Sequence, residues 1–122
     1  MSVSFPPGQW AIRHVPAVTT QATITRAAGG GLLRHYATGL TVTLGGIAAT
    51  AAGLEFQLID GASGGATVLW SGKLSNLINE TTSISLGSVA IQGSQNTAMT
   101  LECTAAPATN VAATVSLIGF TA

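Results

Sequence analysis

Charge is what this chain has least of. Asp, Glu, Lys and Arg make up 7% of its 122 residues, four of each sign, so the formal net charge is zero; an average soluble domain carries about 25%. The scarcity excludes several classes. Disorder needs many charges and little apolar content, and here 47% of residues are hydrophobic. A coiled coil needs Glu and Lys on its flanks. A nucleic-acid binder that neutralises phosphates needs surplus Lys and Arg. Carboxylate-based catalysis and oxygen-ligated metal sites are starved by one Asp and three Glu. A single cysteine, Cys103, excludes an internal disulfide and weakly favours a reducing compartment. Aromatics stand at 5%, so much of the apolar content is Ala. The first residues carry neither a basic nor an apolar leader region, and no secretory signal is expected.

Two stretches lack charge altogether, 36–54 and 103–122. Both are long enough to span a bilayer. Both are filled with Thr, Ala and Gly, and the second holds Pro107 and Asn110. Neither reads as a transmembrane helix.

What is present is a period of two. Leu40, Val42 and Leu44 alternate with Thr41 and Thr43. Leu54, Phe56 and Leu58 alternate with Glu55 and Gln57. Val68, Trp70 and Leu74 share the face of a returning strand, so that 54–74 forms a hairpin around the turn Asp60-Gly61-Ala62-Ser63-Gly64-Gly65. Shorter strands are expected at 22–26, 82–91, 97–105 and 113–122, with a turn at Gly93-Ser94-Gln95-Asn96. Met99, Leu101 and Cys103 point inward there, and Thr100, Glu102 and Thr104 outward. No segment has a helical period. The spacing predicts an all-β, antiparallel β-sandwich or barrel of seven to eight strands.

Residues 1–20 read differently. Pro6, Pro7 and Pro16, three of the four prolines, fall here, and proline removes backbone donors that a central strand needs. The segment is expected to be an extended N-terminal arm in front of a sandwich domain at 21–122. Phe5, Trp10, Ile12 and Val15 are apolar, so the arm should lie on a surface. Phe5, Pro6, Pro7, Trp10, Ile12 and Arg13 are the expected partner-binding residues, with Trp10 the anchor.

The chemical motifs are weak. Gly61-Ala62-Ser63-Gly64-Gly65 fits the G-x-S-x-G pattern of a hydrolase elbow, but a strand follows the serine, both histidines precede it, and no Asp follows it. A hairpin turn explains it better. Asp60 alone is too few carboxylates for calcium, and Gly72-Lys73 lacks the glycine spacing of a phosphate loop. His14 and His35 have no ligating neighbours in sequence and read as structural. Cys103 reads as a buried thiol without a base. Asn79-Glu80-Thr81 fits a glycosylation sequon by chance. No enzyme activity, cofactor or metal is expected.

The segments Thr20-Gln21-Ala22-Thr23-Ile24-Thr25-Arg26-Ala27-Ala28-Gly29-Gly30, Arg34-His35, Thr38-Gly39, Asp60-Gly61-Ala62-Ser63-Gly64, Leu69-Trp70 and Asn96-Thr97-Ala98-Met99-Thr100-Leu101-Glu102 resemble, in texture and order, small Ala/Gly/Thr-rich virion proteins of tailed bacteriophages. The resemblance runs from about residue 15 to 122. It implies a jelly-roll-like sandwich, a trimer, and a role as head cement or decoration bound non-covalently to the major capsid protein. The location implied is the capsid surface of the virion, after synthesis in the host cytoplasm, with neither nucleic acid nor membrane as partner. A tail or tail-fibre component that touches the host or binds carbohydrate is the alternative. Low charge suits either, because interfaces are depleted of Lys and Glu.

Overall fold

The computed structural model describes residues 8–46, 54–74, 80–85, 90–107 and 111–122, with only the backbone course given for 46 and 80–85. Among these residues there are nine strands and no helix: β1 Gln9–His14, β2 Thr23–Arg26, β3 Arg34–Gly46, β4 Leu54–Asp60, β5 Val68–Leu74, β6 Glu80–Ser85, β7 Ile91–Gln95, β8 Met99–Cys103 and β9 Val111–Thr121. One sheet has the order β1-β9-β3-β6, with β7 also pairing with β3. The other has the order β2-β8-β4-β5.

Set β7 aside and the logic of this order is simple. β1 pairs with β9, β2 with β8, β3 with β6, and β4 with β5, all antiparallel. The described strands therefore form one long hairpin, folded at the β4–β5 turn, with β1 and β9 side by side. Rolling that hairpin brings β9 against β3 and β8 against β4. The two sheets so formed are a jelly roll.

The two uncharged stretches supply the centre of the first sheet. β3 and β9 pair over most of their length, from His35↔Thr121 to Gly46↔Val111. Their inward residues, Ala37, Leu40, Val42 and Leu44 with Val111, Ala113, Val115 and Leu117, are buried. They meet Leu54, Phe56, Leu58, Leu74, Met99, Leu101 and Cys103 of the second sheet in one core. Most of the inward residues expected from alternation are in it. Among the described residues, no helix is long and apolar enough to cross a membrane.

Four local expectations need correction. The arm is a strand from Gln9 to His14, forming the edge of the first sheet, so the sandwich begins at β1 and not at residue 21. Pro6 and Pro7 precede this strand and Pro16 follows it, so no proline interrupts its ladder. The turn expected at 93–96 is mostly strand β7, with Asn96 in a left-handed turn at φ 46°. What read as one strand over 82–91 is the end of β6 and the start of β7; residues 86–89 lie outside the described chain. Val68 is 41% exposed instead of inward. A register shift between Leu58 and Ile59 opposes Ile59 to Val68 and so turns Val68 to the outer face, where Ile59 is itself buried beneath Gly61 and Gly65.

Candidate partner interface

The residues expected to bind a partner separate by the alternation of β1. Trp10 points into the sandwich and is 5% exposed. Ile12 is half-buried against the core, whereas Arg13 points out. Phe5, Pro6 and Pro7 lie outside the described residues.

Trp10 already has its place within the chain. Its indole lies over Gly119, where an added Cβ would come within 2.8 Å of the ring and 2.2 Å of the Tyr36 carbonyl oxygen. Only glycine allows the indole this approach. The ring meets His35 edge-on at 5.7 Å, and the Arg26 guanidinium carbon stands 5.6 Å from its centroid, within cation–π range. Trp10 Nε1 donates to Thr121 Oγ1 at 3.0 Å, and Thr121 Oγ1 lies 2.7 Å from His35 Nδ1. His35 Nε2 donates to the Ala27 carbonyl at 2.6 Å. A carbonyl can only accept, so this nitrogen carries the hydrogen. An open cleft of about 440 Å³ beside this network is lined by Gly8, Gln9, Arg26, Ala27, Leu33 and Thr121, among others. Its one charged side chain, Arg26, is already turned over Trp10. His14 is structural as well, accepting the Thr23 N–H at Nδ1, 3.2 Å away.

The outer face of the second sheet is occupied by its own loop. Glu102 was expected to point into water. It does point to the outer face, but is only 4% exposed. The β4–β5 loop folds over it. Gly64 N–H donates to Oε1 at 2.8 Å, while Thr23 Oγ1, at 3.0 Å, and Ser63 Oγ donate to Oε2. Thr100, fully buried beside it, donates to the Gly61 carbonyl at 2.8 Å and lies 2.8 Å from Thr25 Oγ1. Ile59 lies under Gly61 and Gly65. The left-handed backbone at Gly64, φ 79°, suits glycine and turns its N–H to the carboxylate. The serine of the G-x-S-x-G pattern is thus a latch on a buried carboxylate. Nothing in the local sequence signals this, because the Thr23↔Glu102 pairing joins residues far apart in the chain. Cys103 is buried next to it, and burial followed by the Glu102 charge pushes its thiol up to about 11, which keeps it protonated at neutral pH.

Beyond the loop, the second sheet exposes Glu55 and Lys73 directly opposite each other. The first sheet has a different outer face. Its outward positions on β3 and β9 include Arg34, which donates to the Gly93 carbonyl, and then Tyr36, Thr38, Thr41, Thr43, Thr114, Ser116, Ile118 and Phe120, with no charge from 36 to 46 or from 111 to 121. Ile118 is 48% exposed at its centre. Tyr36 and Phe120 stack on each other at 4.7 Å with planes 6° apart. Cross-strand rings stacked this way stand upright from the sheet, so they do not form the flat platform a sugar ring would need. Arg13 borders the face on β1. Among the described residues, no three of His, Cys, Asp and Glu gather as a metal site would require.

No protein-family model and no curated protein matches the sequence. Among solved structures, the coat protein of tobacco streak virus aligns over 98% of this chain and 90% of its own, at 12% identity and a TM-score of 0.38.

Proposed function

We propose that this protein is a non-enzymatic structural component of a bacteriophage particle. In this reading it is a head cement or decoration protein that seats the neutral outer face of the β1-β9-β3-β6 sheet on the major capsid protein. The observation that carries the reading is the contrast between the two outer faces. One sheet is covered by its own loop and exposes an opposed Glu–Lys pair. The other presents hydroxyls, Ile118 and an aromatic pair over the uncharged stretches 36–46 and 111–121, with Arg34 just before the first of them. Such a face loses little on desolvation, since hydroxyls find partners across an interface while unpaired charges do not. The jelly-roll topology and the phage-like texture of the sequence support the same reading. Arg13, at the border of the face, is the rim contact in this reading.

The test is a charge placed at the centre of the face. Thr114→Lys should leave the fold intact, because the position is only half-buried, and should weaken binding to purified phage heads about a hundredfold, since the new charge would be buried without a partner. Co-sedimentation with heads and with separated tails reads the outcome. Undiminished head binding excludes this face, and binding to tails alone replaces the head reading with a tail component.

A further inference from the structure

We infer that β1 is a docking edge for a second copy of this chain, joining two sandwiches through antiparallel β1–β1 pairing about a twofold axis at Ala11. The direction of each backbone group on β1 follows from one bond. Thr121 N–H donates to the Gly8 carbonyl at 2.7 Å, and the register continues Gln9↔Phe120, Trp10↔Gly119. In an antiparallel ladder bonded pairs alternate. Gly8, Trp10, Ile12 and His14 therefore spend their N–H and C=O groups on β9. Those of Gln9, Ala11 and Arg13 point away from it, at the outer edge of the sheet, on residues that are themselves exposed.

Edges of this kind are usually blunted by proline, lysine, a bulge or extreme shortness. The second sheet shows such devices: β2 has four residues, and β5 carries Lys73 and a register shift. β1 has six residues, an even register, no proline and no lysine, and its one charge, Arg13, stands near the end of the strand and leaves Ala11 at its middle clear.

Charge and size select the occupant. Only outward-pointing residues can exchange bonds across the new seam. With the axis at Ala11, Ala11 faces its own copy and Arg13 faces Gln9, giving about six backbone hydrogen bonds. The smallest outward side chain of β1 sits where two copies meet, and the arginines are kept apart, each opposite an amide that can accept from it. Moving the axis to Arg13 would set like charges against each other. Val15 and Val18, 56% and 53% exposed just past the strand, add apolar area at the same margin.

The inference does not rest on the capsid reading and is tested on the free protein. Light scattering after size exclusion should give twice 12.1 kDa at micromolar concentration. Ala11→Pro deletes an N–H the fold does not use, so circular dichroism and Tm should stay near the parent values while dimer dissociation becomes about tenfold to a hundredfold more favourable. Ala11→Arg decides the matter if the proline variant misfolds: it opposes like charges at the axis, and its dimer should be weak at low salt and recover at high salt. A parent protein that is monomeric or trimeric, or an Ala11→Arg variant that dimerises as the parent does, overturns the inference.

Discussion

Glu102 is the residue on which the β4–β5 loop depends. A carboxylate taken out of water is tolerable only when its oxygens are filled by donors, and three converge here. Removing it strands those donors under the loop, and a buried donor without a partner is more damaging than the lost bond alone. Glu102→Ala should therefore destabilise the protein by about 2–4 kcal/mol in urea unfolding. Glu102→Gln keeps one acceptor oxygen and the side-chain volume, and should recover about half of that loss. Equal losses for the two substitutions would show that packing, not the carboxylate, holds the loop. Alternation placed Glu102 correctly on the outer face of β8. What alternation cannot express is that a loop from another hairpin lies on that face.

At the scale of elements, β1 changes most between the sequence and the fold. Its alternation, with Trp10, Ile12 and His14 on one side and Ala11 and Arg13 on the other, has the same period as the other strands. The flanking prolines drew attention away from it. Proline density argues against a strand only where a proline occupies the strand itself, and here the prolines punctuate its ends. Strands β3 and β9 were legible because sequence period and burial coincide there, and β4 and β8 because their inward residues alternate, although the loop buries the outward ones of β8 as well. Strand β7 was not, since Gln92, Gly93 and Ser94 carry no apolar stripe and are held by pairing with β3. Because β1 fills the edge of the first sheet and Trp10 plugs the core beside His35, deleting residues 1–20 should not leave an intact domain. The truncated protein is expected to lose roughly 4 kcal/mol or more, the order of a buried Trp truncation, and to aggregate through the exposed edge of β9. Thermal unfolding followed by near-UV circular dichroism checks this. A truncated protein with the parental Tm would restore the arm as an independent appendage.

For the molecule as a whole, the few charges are placed with a bias. Asp60 is tied to Ser94, Glu102 lies under its loop, and Glu55 and Lys73 oppose each other on the second sheet. The first sheet keeps a neutral face. The general idea that low charge marks covered surface came from composition, but which surface could not be read before pairing decided what shares a face. Binding through a neutral face should be insensitive to ionic strength, because there is no Coulombic attraction to screen. Raising salt from about 0.1 to 0.5 M is expected to change affinity for heads by less than about threefold. A steep loss of binding would point instead to Arg13, Arg26 or Lys73 as the main contacts.

The rolled hairpin also has a consequence in time. Thr121, near the end of the chain, receives the indole N–H of Trp10 and lies beside His35. The partner of Trp10 therefore lies 111 residues further along, and β1 cannot pair until β9 has left the ribosome. Until then β1 has no partner and the core lacks its plug, and their pairing joins residues far apart in sequence, which makes it costly in loop-closure entropy. A copy that ends short of Thr121 cannot seat Trp10. Truncation within β9 therefore leaves β1 without a partner and the first sheet open along that seam.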